Sequence, residues 1–271
     1  MMTDAERYLF DVHGYLVIEG VLGSAEVEAA NDAIDRHRDE ISIRPNDLAN
    51  GSRTLKGESG RGDLQGMLAR PSADSDPFRR LIAHPSLMRY LEELLGDGLR
   101  LDQLDIITMQ PGAEGFWFHE GGEPYDRSRG YLHRGGRIYC GLTNVAVQLT
   151  DVGPGDGGFA CLPGSHKANF PCPDEIRLYH QHQERFTQIP ARAGDAILFV
   201  ETLMHGALPW LAARERRTVL CRYLPGLMAE ITWGNYTPPP FFDQLTPEQQ
   251  ALLSPPNYRK NNKGSKLYKT G

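Results

Sequence analysis

Long apolar runs are missing from this sequence. Nothing in its 271 residues approaches the roughly 20 consecutive apolar positions of a membrane-spanning helix, so no membrane is expected as a partner. Cysteine is scarce. The four present (Cys140, Cys161, Cys172, Cys221) show no C-x-x-C spacing, which argues against a disulfide framework or a cysteine-rich zinc site and fits reduced thiols. Positive charge is not in excess either: 29 basic residues face 35 acidic ones, a net −6, and no phosphate-tracking surface or nucleic-acid partner is expected. The opening Met1–Arg7 lacks the apolar core and small-residue cleavage site of a secretory signal. No internal repeat is visible. The expectation is a cytoplasmic enzyme whose oligomeric state is open.

What is present is core material and turns. Apolar residues make up 40% and charged residues 24%, an ordinary globular mixture. The 29 glycines and 19 prolines favour a β-rich fold over a helix bundle. The first forty residues read helix, strand (Gly14–Glu19), helix, with Ser24 as N-cap of the second helix and Val27, Ala30 and Ile34 at helical spacing. Residues 41–75 are polar and glycine-strewn, a lid or a solvated insertion. Helices are expected at 77–83 and 86–95, separated by Pro85 and stopped by Gly96. From there the texture changes to short strand-like runs: Leu101–Met109, Gly115–His119, Ile138–Leu149, Gly158–Leu162, Ala196–Val200 and Thr218–Tyr223. Such spacing, with helices gathered at the N-terminal side, predicts a jelly-roll barrel with helical decoration, mainly β with helices (α+β). The chain reads as a single domain, 1–271, with a helical part at 1–98, the jelly-roll core at 99–225 and a C-terminal extension and tail at 226–271. Within the extension, Thr246-Pro247-Glu248-Gln249 predicts a capped helix, and 259–271 is a basic, solvated end.

Most of the nine histidines need no special role. His13, His37 and His84 fall on predicted helices or turns, and His180 and His182 in a polar stretch. His119 differs, because it ends the Pro-Gly turn and aromatic run Pro111-Gly112-Ala113-Glu114-Gly115-Phe116-Trp117-Phe118. His205 follows Ala196–Val200, and Arg216 lies eleven residues beyond it. Between them runs Gly158-Phe159-Ala160-Cys161-Leu162-Pro163-Gly164-Ser165-His166-Lys167.

Over roughly residues 8–225 this arrangement resembles the phytanoyl-CoA dioxygenase family of Fe(II)- and 2-oxoglutarate-dependent oxygenases. The resemblance implies a double-stranded β-helix (jelly roll, cupin-like) with N-terminal helices packed on one sheet. It implies Fe(II) and 2-oxoglutarate as cofactors, O2 and a small organic molecule as reactants, and oxidation of an aliphatic C–H bond with decarboxylation to succinate. His119 and His205 become the iron ligands, and Arg216 the partner of the co-substrate carboxylate. His166, in the Pro-Gly-Ser-His turn, takes a structural role. The chemistry is coherent: two imidazoles and one anion leave positions on iron for a bidentate 2-oxo acid and for O2. A permanently charged guanidinium suits a carboxylate in a nearly dry barrel. Arg217 alternates to the opposite strand face and cannot share the task.

The sequence leaves the family pattern at the third ligand. His119-Glu120-Gly121 carries glycine where H-x-D has its carboxylate, and so does the competing His133-Arg134-Gly135. Glycine there resembles the related iron/2-oxoglutarate halogenases, in which chloride takes the vacated position on the metal. A hydroxylase must instead find another carboxylate. Glu120 points to the opposite strand face from His119. Glu201 has the parity of His205, but four extended residues span about 13 Å, too far for one metal. Glu123 and Asp126, in a loop that folds back, remain as candidates. Oxygenation, halogenation, a site of two histidines and water, and a non-catalytic binding jelly roll all stay open at this point. Phe116-Trp117-Phe118 reads as core aromatics or as pocket lining.

Overall fold

The computed structural model describes residues 1–45, 47–122, 126–228 and 238–256. Helix α1 (Asp4–His13) opens with a capping box in which Thr3 and Glu6 satisfy each other's backbone donors, and it ends at Gly14 in the left-handed region. Strand β1 (Tyr15–Ile18) leads to α2 (Ser24–Arg36). The N-cap there is Gly23, not Ser24, because the Glu26 carboxylate reaches back to the Gly23 N–H and fixes the entry one residue earlier.

The polar segment 41–75 is not one plain loop. It contributes two short strands, β2 (Ser42–Ile43) at the sheet edge and β3 (Gly62–Leu64) beside it, and buries Ser52 and Leu55 completely. Helix α3 (Ser72–Ile82) begins five residues before the predicted start, running through Pro77. Proline cannot bond the carbonyl four residues back. That carbonyl, on Ala73, accepts from the Arg36 guanidinium at 3.2 Å instead. Helix α4 (Pro85–Leu95) starts on Pro85 and stops at Gly96, as expected.

The remaining strands are β4 (Arg100–Met109), β5 (Phe116–His119), β6 (Tyr131–Arg134), β7 (Arg137–Cys140), β8 (Thr143–Gln148), β9 (Gly158–Cys161), β10 (Thr187–Gln188), β11 (Ala196–Val200), β12 (His205–Leu208) and β13 (Arg216–Leu224). Helix α5 (Asp174–Arg177) is a single turn, and α6 (Pro247–Leu252) carries the predicted Thr246 capping box. The run Ile138–Leu149 breaks at Gly141, where a Cβ would stand 2.3 Å from the Ser128 carbonyl, so the strand jogs around the 126–130 turn.

Two antiparallel sheets face each other. The larger has the order β1-β11-β8-β13-β4-β3-β2 and the smaller β10-β9-β12-β5, while β6 and β7 form a separate hairpin. This is the jelly-roll architecture the strand spacing predicts. Alternation along β8 and β13 gives the larger sheet two different faces. Val145, Val147, Val219, Cys221 and Tyr223 join Phe78, Leu81 and Leu91 of the helices in one core. Burying each such aliphatic side chain stabilises by about 1.5–3 kcal/mol. The Tyr223 hydroxyl caps this layer, 3.1 Å from the Leu81 carbonyl at the end of α3. The opposite face carries Asn144, Ala146, Arg216, Thr218, Leu220 and Arg222 and looks toward the smaller sheet across a cavity. Residues 229–237 and 257–271, including the basic end, lie outside the described residues.

Candidate metal centre

His119 and His205 are brought together by register. β12 pairs with β5 so that the two histidines stand directly opposite, and their ring centroids are 4.1 Å apart. Each ring is oriented by its own backbone. His119 Nδ1 lies 3.3 Å from the Trp117 carbonyl and His205 Nδ1 2.7 Å from the Leu203 carbonyl. A proton on Nδ1 in both leaves both Nε2 atoms free as acceptors. Burial pushes His119 down to about 3 and His205 down to about 4, so both are neutral near pH 7, as ligation requires. Phe116 packs edge-on against His119, and Phe199 packs tilted against His205.

The third group is Glu201. Its carboxylate and one nitrogen of each histidine all lie within 4.8 Å of one another. This corrects the extended reading, which puts Glu201 about 13 Å from His205 along the chain. Residues 201–204 are not extended. The Leu203 N–H donates to the Val200 carbonyl at 3.0 Å, closing a turn where the chain leaves the larger sheet after β11 and enters the smaller at β12. The carboxylate is buried and accepts from the Asn144 side-chain amide at 2.5 Å. Donors on one face of an octahedral ion, with bonds of about 2.1 Å, stand about 3 Å apart. Two imidazoles and one carboxylate on one face are the donor chemistry of a 2-His-1-carboxylate iron site.

The other candidates are placed elsewhere. Asp126 is exposed and its carboxylate accepts from the Ser128 backbone and hydroxyl, both at 2.8 Å. Glu123 lies outside the described residues. Glu120 adopts a left-handed φ of +63° and pairs with Arg129 at 2.8 Å. Gly121 follows at φ +113°, where a Cβ would meet Met204 and no atom of His119, Glu201 or His205 within 4 Å. His133 sits exposed on the β6–β7 hairpin. His166 is buried, with Nε2 3.1 Å from the Asp11 carbonyl, in keeping with the structural role read from its turn.

Arg216 opens the same cavity, of about 200 Å³, from β13. It is buried, its Nη1 rests 3.4 Å from the Met109 sulfur, and its Nε has no hydrogen-bond partner among the described residues. Burial, and then the nearby Arg61, push it down to about 10. A buried, unpaired guanidinium is costly unless an anion joins it. Gly158 gives it room: a Cβ there would stand 3.0 Å from Arg216 Nε. Arg217, on the other face, is held by Asp35 at 2.5 Å and Glu215 at 3.0 Å. Of the aromatic run, Phe116 lines the cavity while Phe118 is fully buried against Phe186 and Tyr179. Arg44 and Arg61, from the 41–75 segment, also line it.

Comparison with known proteins follows from this geometry. The sequence model of the phytanoyl-CoA dioxygenase family matches residues 10–218. Ectoine dioxygenase of Nocardia farcinica is 24% identical over 221 residues, 73% of this chain and 70% of that protein. Dioxygenase cdmA of Talaromyces verruculosus is 23% identical over 249 residues, 89% and 78% of the two chains. Among solved structures, HygX from Streptomyces hygroscopicus with nickel and 2-oxoglutarate bound superposes with a TM-score of 0.69 at 26% identity, covering 85% of this chain and 90% of HygX. Its iron-bound form gives 0.66.

Proposed function

The chain belongs to the phytanoyl-CoA dioxygenase family, an Fe(II)- and 2-oxoglutarate-dependent oxygenase, and from that premise we propose that His119, Glu201 and His205 hold its iron and that it hydroxylates an aliphatic C–H bond of a small organic molecule. The observation that carries the ligand set is the convergence of one nitrogen from each histidine and one buried carboxylate within 4.8 Å. Bound iron and 2-oxoglutarate supply O2 activation coupled to decarboxylation of the 2-oxo acid to succinate. The chain's own part is binding, orientation and exclusion of water. The Trp117 and Leu203 carbonyls fix the imidazole tautomers. Asn144 holds one oxygen of Glu201 and leaves the other to the metal. Arg216 binds the distal carboxylate of 2-oxoglutarate, which removes its own unpaired charge from the list of buried costs. Phe116, Phe159 and Phe199 keep this end of the cavity dry.

Glu201 favours oxygenation over halogenation, because it offers the anion that chloride would otherwise provide. The same reading sets the protein in the cytoplasm, on its unpaired cysteines. The test is iron affinity, by anaerobic titration, in His119→Ala, His205→Ala and Glu201→Gln. Each is expected to lose at least tenfold; wild-type affinity in Glu201→Gln would remove it from the ligand set. Product mass on a responsive substrate, with and without chloride, then decides the chemistry. Turnover is expected to be independent of chloride and to add oxygen; chlorine in the product would overturn this.

A further inference from the structure

Arg216 is not the only cation in the cavity. Arg44, Arg61 and Arg222 line it as well, against two lining carboxylates, Glu114 and Glu201. Both acids are occupied: Glu114 accepts from the Leu48 and Ala49 backbone N–H groups, and Glu201 from Asn144. Behind the lining, Asp63 serves two guanidinium groups at once, Arg44 and, at 3.0 Å, Arg61. Arg222 has no carboxylate within ion-pair distance among the described residues, and its buried Nε has no hydrogen-bond partner. Asp105 is the acid whose charge it feels, without contact. Arg61 is close enough to Arg44, Arg222 and Arg216 for their charges to act on one another. Its guanidinium lies 5.5 Å from the centroid of the Phe116 ring, which itself packs on His119.

Bringing like charges together in a half-dry cavity is unfavourable unless an anion compensates them. One carboxylate of 2-oxoglutarate accounts for Arg216, and the other end of that molecule belongs at the metal. Arg222 is left over, and Arg61 has only a share of Asp63, which it divides with Arg44. Arg222 stands beside Asn144 in the strand register, next to the residue that holds Glu201. Arg61 reaches in from the residue just before β3, which pairs with β4 on the side away from β13. The two therefore approach the cavity from different segments of the chain, near the metal ligands, as a clamp for a planar or tetrahedral oxyanion would.

Resting on the oxygenase reading above, we propose that the substrate carries an oxyanion group, carboxylate or phosphate, bound by Arg61 and Arg222 while the carbon to be oxidised faces the metal. Hexanoate, hexyl phosphate, hexan-1-ol and hexylammonium serve as probes of one chain length and different charge. They are titrated by calorimetry into anaerobic protein loaded with Fe(II) and saturating 2-oxoglutarate. Hexanoate or hexyl phosphate should bind at least tenfold more tightly than hexan-1-ol, hexylammonium should not bind, and the tighter of the two anions names the group. Arg222→Gln and Arg61→Gln should each weaken that anion at least tenfold, and Arg222→Lys should recover part of the loss. Equal affinity for the anions and hexan-1-ol overturns the proposal. So does a loss that falls on 2-oxoglutarate itself, which would assign these arginines to the co-substrate. Wild-type protein that fails to bind 2-oxoglutarate with Fe(II) present would instead sink the oxygenase reading. The wild-type charge preference is read whether or not the variants fold.

Discussion

Gly121 stands two residues after His119, where the resemblance read from the sequence expects an aspartate, yet the backbone there could not present one. A φ of +113° lies in a region that L side chains avoid, at a cost on the order of 1–3 kcal/mol. The strand has already turned away at Glu120, and the built Cβ heads for the Met204 methyl. Gly121→Asp is therefore expected to lower stability by about 1–3 kcal/mol in urea unfolding. It should also fail to restore iron binding in a Glu201→Ala background; recovery of iron affinity there would mean that residue 121 still addresses the metal. The two histidines and Arg216 were legible in the sequence because each sits on a regular strand, where alternation decides the face. Arg216 and Arg217 separate for that reason alone. Glu201 was not legible, because its approach depends on a turn between two sheets, and chain distance along an extended path says nothing about a path that folds back. A weak signal existed: an acidic residue directly after the wholly apolar Ala196–Val200 must be paired or ligating if the turn is buried.

At the scale of elements, the long strands announced themselves and the short ones did not. β11 is a wholly apolar run and β4 mixes apolar and polar residues before ending in Ile-Ile-Thr-Met, whereas β12 is His-Gly-Ala-Leu and takes its conformation from pairing on both sides with β5 and β9. In the polar segment, β2 hides because an exposed two-residue edge strand has little to bury, and β3 because three residues, Gly-Asp-Leu, are too few to show an alternation. That segment nonetheless delivers Arg44 and Arg61 to the cavity. β9 makes a different contribution, since it begins on Gly158 at φ +75° directly against the Arg216 side chain. Gly158→Ala strains the strand start and presses a methyl onto the guanidinium. The expected result is a KM for 2-oxoglutarate raised about five- to tenfold, a few kcal/mol at most being at stake. Iron affinity, measured in parallel, should stay within about twofold, because both histidines and Glu201 lie on other elements. Equal losses in both measurements would mean that β9 supports the whole site and not Arg216 in particular.

For the whole molecule, a buried imidazole is one of the contacts that hold the N-terminal helix to the jelly roll, beside Tyr131 and Lys167 on Asp11. His166 donates from Nε2 to the Asp11 carbonyl of α1, its ring meets Tyr131 edge-on, and its Nδ1 faces the Gly14 backbone with no hydrogen-bond partner among the described residues. A Cβ at Gly14 would stand 2.6 Å from that nitrogen, so the helix ends in glycine where it touches the ring. Protonating Nδ1 would bury a donor with nothing to accept it. Burial, with Lys167 and His13 adding to it against the opposing pull of Asp11, lowers His166 to about 4. The sign follows from linkage. The unfolded chain takes up this proton near the ordinary histidine pKa of about 6.5, while the folded protein refuses it until about 4, so acid favours unfolding across that window. The limit is about 1.4 kcal/mol per pH unit, or about 3 kcal/mol over the window. His37, raised by Asp74 and Glu40, works in the opposite direction and is common to any pair of variants. Urea unfolding of wild type and His166→Gln from pH 7 to pH 4.5 isolates the term: the wild type should lose stability more steeply, by up to about 1 kcal/mol per pH unit. Parallel curves would mean that the imidazole finds an acceptor when charged. A steeper wild-type curve would place part of the acid sensitivity of the fold at the contact between α1 and the Pro-Gly-Ser-His turn.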